Sequence, residues 1–258
     1  MKHRIVPVKN VGRLAEAGTA LINRAPGMPG MGLVYGATGY GKTTAITWFV
    51  NQCHGVYVRA LAAWSPAAML RAILRELDTD AVRPSCAGMV EQIIEKLAIS
   101  NRPLFIDEVD YIVEDRKMSE TLRDLHDLAS VPVILIGKAG IQRKIVNRQQ
   151  LTGRLAQWVE FKPCDFEDIR AVAQELCEVE IREDLLRKMH KQTGGSIRLA
   201  VVGLARIEGF AKARGLASIG GEEWPGNGGN GEFFIGEAPK AGQATSKPSK
   251  LRVMEGAA

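Results

Sequence analysis

Cysteine is scarce in this sequence. Cys53, Cys86, Cys164 and Cys177 are scattered, none closes a C-x-x-C pair, and the histidines do not cluster beside them. That spacing argues against a disulfide framework and against a cysteine-ligated metal site. Also absent is any uninterrupted apolar run near the ~20 residues that cross a bilayer, and the basic N-terminus carries no signal-like apolar segment. No internal repeat is visible. These absences lead to the expectation of a cytoplasmic protein with reduced cysteines and no membrane partner. What remains is an ordinary globular composition, 46% hydrophobic and 24% charged over 258 residues, enough to bury one sizeable core and a small second one.

The net charge of +5 is unevenly spread: residues 215–258 hold five acids against four basic residues, so residues 1–214 carry the remaining net +6. The segment Gly137 to Arg154 contains Lys138, Arg143, Lys144, Arg148 and Arg154 with no acid among them. Such a stretch suits a polyanion, either nucleic acid or a neighbour's phosphates, although a solvated surface has the same composition.

The most specific motif is Gly36-Ala37-Thr38-Gly39-Tyr40-Gly41-Lys42-Thr43, which fits G-x-x-x-x-G-K-[ST]. It lies between an apolar run, Gly32 to Tyr35, and a helix-like run, Thr43 to Gln52, with Thr44 opening the helix. That order is what a phosphate-binding loop needs. Glycines let successive N–H groups turn inward on the phosphates of ATP, and the helix adds its positive end. Lys42 would reach the β- and γ-phosphates, and the Thr43 hydroxyl would ligate Mg²⁺.

A second motif follows Pro103. Leu104-Phe105-Ile106 reads as a buried strand that ends abruptly in Asp107-Glu108, as a parallel strand does where its carboxyl edge opens on a ligand crevice. Asp107 would hold Mg²⁺ through its water shell, and Glu108 would polarise the water that attacks the γ-phosphate.

The order of elements predicts an α/β fold. A helix over 11–23 precedes the first strand, loop and helix; a short strand follows at 56–59, then a helix opened by Ser65 as N-cap with Pro66 in its first turn. Further helices are expected near 88–99 and 119–128, and further strands at 131–136 and 158–161, joined by the basic connection. Strands alternating with helices imply a parallel sheet between helical layers. Asp165 and Asp168 suggest a capped helix through Leu176, and helices near 182–192 and 196–213 would form a small helical lid. Domain boundaries are therefore expected at 1–176 for the core and 177–216 for the lid. Residues 217–258 are glycine-rich and poor in apolar side chains, which predicts a disordered tail, with Trp224, Phe233, Phe234 and Ile235 as a candidate docking patch.

Over residues 10–213 these features resemble an AAA+ ATPase. The resemblance rests on the phosphate loop, the Asp107-Glu108 strand end, Gly194-Gly195-Ser196-Ile197-Arg198 as the sensor 2 segment of the lid, and Leu151-Thr152-Gly153-Arg154-Leu155 before the last core strand. It implies that Arg198 reports on the γ-phosphate and that Arg154 is an arginine finger for the adjacent subunit's nucleotide, with Arg148 as the competing candidate. The sensor 1 position departs from the family's usual Asn, Ser or Thr: Gly137 is followed by Lys138, which would face either the γ-phosphate or nucleic acid.

Within the superfamily, the lead-in Gly27 to Gly36 and the Leu135-Ile136-Gly137 strand end look most like the transposition ATPases, the B proteins of Mu-like phages and their transposon relatives. That resemblance implies an ATP-dependent, sequence-blind double-stranded DNA-binding protein that forms a helical homo-oligomer and delivers target DNA to a transposase. ATP at subunit interfaces would hold the oligomer, and slow hydrolysis would release it. The core begins almost at once, so the grip on DNA is expected from the core or the tail, with Lys138, Arg143, Lys144 and Arg148 as candidates. A replicative helicase loader shares every motif named. A signalling or defence ATPase would normally add a sensor or effector domain, and a non-hydrolysing P-loop module would have no use for Glu108.

Overall fold

The computed structural model describes residues 1, 2, 4–225 and 233. Strands β1 (Met31–Gly36), β2 (Val56–Arg59), β3 (Leu104–Asp107), β4 (Val133–Lys138) and β5 (Leu155–Phe161) form a parallel sheet in the order β2-β3-β4-β1-β5. Because every pairing is parallel, each strand must be reached by a crossover. Those connections contain α2 (Lys42–Cys53), α3 (Pro66–Glu76), α4 (Cys86–Ser100), α5 (Arg116–Ala129), α6 (Ile141–Val146) and α7 (Gln149–Thr152), while α1 (Lys9–Ile22) precedes β1.

Strand side chains alternate between faces, so the sheet builds two cores. Met31, Leu33, Leu104, Ile106, Val133 and Leu135 join residues of α3, α4 and α5 on one side. Val34, Phe105, Ile134 and Ile136 join α1 and α2 on the other. Burial on both faces explains why the central strands read as unbroken apolar runs.

Caps place several helix starts. Ser65 Oγ accepts from Ala68 N at 3.3 Å with Pro66 beginning α3, as its sequence predicts. The helix expected at 119–128 starts earlier, at Arg116, because Asp115 accepts from Met118 N at 2.9 Å. The strand expected at 131–136 is shifted to Val133–Lys138, and the one expected at 158–161 extends back to Leu155, where it pairs with Met31. The basic connection holds α6 and α7, too short for helical periodicity to be read from sequence.

Beyond the sheet, α8 (Phe166–Leu176), α9 (Glu183–Thr193) and α10 (Ile197–Ala213) pack on one another, so the helical unit begins with α8 rather than after it. Asp165 caps α8 by accepting from Asp168 N at 3.0 Å, but the Asp168 carboxylate turns away to accept from Lys9 N at the start of α1. The chain then returns. Strand β7 (Ser218–Ile219) pairs in parallel with β6 (Glu180–Ile181), which corrects the reading of 217–258 as disordered from its first residue. Buried Trp224 stacks on buried Phe233 with ring centroids 5.5 Å apart and meets Phe210 edge-on at 5.3 Å. Both rings join the core shared by α8, α9 and α10, as large apolar side chains do when a buried surface is within reach. Residues 226–232 and 234–258, with Phe234 and Ile235, lie outside the described residues. No helix among the described residues is long and apolar enough to cross a membrane.

One buried polar group ties the amino edge of the sheet together. His126, on α5, faces Val131 O through Nδ1 at 2.7 Å and accepts from Gly30 N through Nε2 at 3.3 Å, so Nδ1 carries the proton of a neutral ring. Burial holds its pKa below the ordinary 6.5, with nearby Arg24 pushing the same way against the Val131 bond. The unfolded chain therefore takes up the second ring proton before the folded chain does as the pH falls, and this stability is lost from about pH 6.5 downward. A melting-temperature series from about pH 8 to about pH 5.5 should fall more steeply for the native chain than for His126→Gln. Parallel curves would contradict this assignment.

Candidate nucleotide site

The phosphate loop lies at the carboxyl end of β1, between β4 and β5. Gly36 ends the strand at φ 153°, where a Cβ would stand 2.5 Å from Phe161 O, so only glycine lets β1 and β5 close this corner. Gly41 has φ 85° immediately before α2, a left-handed turn that starts the helix with no side-chain cap. The first-turn N–H groups of α2 thus lack a side-chain acceptor, the arrangement that favours a bound anion.

Lys42 folds back over this loop, donating to Gly36 O at 2.7 Å and Ala37 O at 3.0 Å. Burial pulls its pKa below the usual lysine range, opposed by the nearby carboxylates of Asp107, Glu108 and Asp110. Thr43 Oγ1 donates to Asp107 Oδ2 at 3.1 Å. Asp107 is only 3% exposed and also receives Glu108 N on Oδ1 at 2.8 Å and the Tyr57 hydroxyl on Oδ2 at 2.7 Å. Tyr57 is a neighbour of Asp107 that motif reading missed, because it lies on β2 outside both motifs.

Glu108 turns sharply out of β3 at φ 55°. Its Oε2 is closed off from solvent and faces Lys138 Nζ at 3.2 Å, while Oε1 faces Arg59 at 3.5 Å. Lys138 ends β4 directly opposite Gly36, and its N–H donates to Asp110 at 2.9 Å. The departure at sensor 1 therefore delivers a cation to the acidic strand end. Glu108 in turn raises the Lys138 pKa, so the ammonium stays charged.

The start of α10 docks on the loop. Arg198 N donates to Gly39 O at 3.0 Å, and Ser196 Oγ reaches the same carbonyl at 3.4 Å. A cavity of about 1090 Å³ opens here, lined by Thr38 to Thr44, Asp107, Glu108, Lys138 and Arg198. Its apolar wall comes from Ile5, Val6, Val8 and Val11 before and within α1 and from Val201 and Val202 on α10. These wall residues carried no motif; only their apolar character ahead of the first strand could have flagged them.

The basic candidates outside the cavity are dispersed. Arg154 precedes β5 at the amino edge, where its carbonyl accepts from Met31 N at 2.9 Å. The length of β1, about 17–20 Å, separates it from the phosphate loop of its own chain. Its guanidinium is held bidentate by Asp127 at 2.6 Å, and that contact keeps the Asp127 carboxyl below its usual pKa range. Arg148 donates to Glu114 O and Lys144 pairs with the Glu114 carboxylate, each at 2.6 Å. Arg143, on α6, is exposed.

Comparison with known proteins agrees with this geometry. Residues 27–145 match the family model described as AAA domain. No curated protein matches the sequence. Among solved structures, the Aeropyrum pernix ORC1 protein, determined in complex with DNA, is similar with a TM-score of 0.61 at 16% identity, over 81% of this chain and 61% of that one. Cdc6p from Pyrobaculum aerophilum gives 0.61 at 18% identity over 82% and 63%. A Walker-type ATPase of Pyrococcus abyssi gives 0.54 at 16% identity over 82% and 68%. The chain thus spans less than two thirds of the ORC1 and Cdc6p chains, and at these identities the likeness is one of fold. The described residues share the fold of these structures, a five-stranded parallel sheet followed by C-terminal helices, and residues 27–145 match the AAA domain model.

Proposed function

We propose that this protein binds and hydrolyses ATP and uses the nucleotide to assemble on duplex DNA. The carrying observation is that Lys42, Thr43, Asp107, Glu108, Lys138 and Arg198, read from separate motifs, line one cavity at the phosphate loop. Thr43 and Asp107 place a hydroxyl and a carboxylate 3.1 Å apart, hard oxygen donors that fit Mg²⁺. Bound there with the nucleotide, Mg²⁺ would neutralise charge on the phosphates. Gly36 to Thr44 cradle the phosphates, Lys42 pairs with them, Glu108 accepts the proton of the attacking water, and Lys138 and Arg198 supply positive charge at the γ-phosphate. Arg154 lies too far from its own loop, so its charge serves the site of a neighbouring copy in a homo-oligomer, the sheet and its helices forming the core of each unit and the helices from α8 onward its lid.

The DNA reading draws on the net +6 of residues 1–214 and on the ORC1 structure solved with DNA. Arg143, Lys144 and Arg148 are the proposed DNA phosphate contacts, Lys138 being committed to the nucleotide cavity. Delivery of the bound DNA to a transposase follows from the resemblance of the Gly27 to Gly36 lead-in and the Leu135-Ile136-Gly137 strand end, and it implies work in the cytoplasm. Binding should be nearly sequence-blind and fall with salt, each neutralised phosphate contributing a log–log slope of roughly −0.9. Fluorescence anisotropy on unrelated duplexes measures both, and Arg143→Ala should reduce the slope by about one unit. A flat salt response, or strong preference for one short sequence, would contradict the DNA assignment.

A further inference from the structure

The metal side of the site contains a contact that neither motif supplies. β2 and β3 are parallel neighbours with Tyr57 opposite Phe105 and Arg59 opposite Asp107. Val56 and Val58 turn to the core beneath α3 and α4, while Tyr57 packs against the opposite layer, on the side of α2. A tyrosine ring is long enough to span the two-residue step toward Asp107, about 6.6 Å along a strand. Its hydroxyl arrives 2.7 Å from Asp107 Oδ2. A half-buried phenol needs a hydrogen-bond partner, and here that partner is the nearly inaccessible carboxylate at the end of β3.

Asp107 is held on both oxygens. Oδ1 accepts the Glu108 N–H at 2.8 Å, and Oδ2 accepts two hydroxyls, those of Thr43 and Tyr57. In the nucleotide reading Thr43 is also a metal ligand, which leaves Tyr57 as the side-chain donor dedicated to Oδ2. We infer that Tyr57 is a positioning residue for the metal side of the site: its hydroxyl fixes the orientation in which the Asp107 carboxylate meets Mg²⁺ and its water shell. This inference rests on the nucleotide assignment above. Groups one step removed from a metal orient its ligands, and losing one typically weakens metal binding by tenfold or more.

The test uses the full chain and a fluorescent ATP analogue titrated with Mg²⁺ or, separately, in EDTA. Tyr57→Phe removes only the hydroxyl oxygen. It should bind the analogue in EDTA as the native chain does, yet need about tenfold more Mg²⁺ for half of the metal-dependent gain in affinity. In an Asp107→Asn background the same substitution should produce no further shift, since the group it orients has been changed. An unchanged Mg²⁺ midpoint in Tyr57→Phe, with normal analogue binding, would overturn the inference and leave the nucleotide site standing. So would a full shift that persists in the Asp107→Asn background, or a loss of affinity in EDTA as well, which marks a packing role. Failure of the native chain to bind the analogue under any condition would instead remove the nucleotide assignment and this inference with it.

Discussion

Lys42→Ala should abolish measurable ATP binding and every ATP-dependent assembly on DNA. In the native chain the ammonium lies over the loop, 2.7 Å from Gly36 O and 3.0 Å from Ala37 O, within the ring of residues that line the cavity. Burial has already removed part of its hydration, so its charge interacts more strongly with a phosphate than an exposed lysine would. Losing charge-assisted hydrogen bonds of about 1.5–3 kcal/mol each to phosphate oxygens corresponds to a weakening of at least about tenfold per bond. Two such bonds carry binding beyond the range of ordinary titration. The fold should survive, because Lys42 lines the open cavity rather than the core, and the buried residues of that helix are Ala45, Ile46, Phe49 and Val50. Isothermal titration with ATP, beside a thermal melt, checks both halves, and near-native affinity would contradict the role given to Lys42.

Glu108→Gln should separate binding from turnover. The amide keeps the size of the side chain and leaves the Asp107 contacts with Thr43 and Tyr57 in place, so ATP and DNA should bind as before. Hydrolysis should fall by about 10²–10⁴-fold, the usual worth of a positioned general base. Oligomers on DNA should then persist, because the release step is blocked. Lys138 loses its carboxylate partner at 3.2 Å, but its ammonium is half-exposed and remains hydrated, and the amide oxygen can still accept from it. Mixing this variant with Arg154→Ala extends the measurement. One interface in the mixed oligomer pairs an intact arginine with an intact Glu108, and some ATPase activity should return there. Unchanged hydrolysis in Glu108→Gln would remove it as the base, and no recovery in mixtures shown to co-assemble would remove Arg154 as a finger acting between subunits.

The parts legible in the sequence were those set by local rules. The loop glycines, Lys42, Thr43 and the acidic end of β3 occupy consecutive positions whose spacing follows from backbone geometry, and the structure gathers them into one cavity. Ser65 with Pro66 announced the start of α3 for the same reason. What stayed hidden depends on contacts between distant segments. Tyr57 becomes informative only when β2 lies beside β3, a pairing that joins residues about 50 apart. The Glu108–Lys138 pair needs β3 and β4 side by side. The apolar wall from Ile5 to Val11 gains meaning only when α10 closes over it. At the far end, low apolar content led to an expectation of disorder from residue 217, whereas β7 and Trp224 are held by partners in the lid that no local window contains. Sequence spacing did place Arg154 just ahead of the last core strand, and only the topology reveals that this is the edge opposite its own phosphate loop.

Nucleotide binding at this site should drive assembly on duplex DNA, and electron microscopy of the protein with duplex DNA tests this most directly. Native protein should form continuous, regularly spaced assemblies along the duplex with a slowly hydrolysed ATP analogue and Mg²⁺, and only sparse particles without nucleotide. Lys42→Ala should give sparse particles in both conditions. Assemblies that form equally well without nucleotide, or that Lys42→Ala forms as readily as the native chain, would contradict the account.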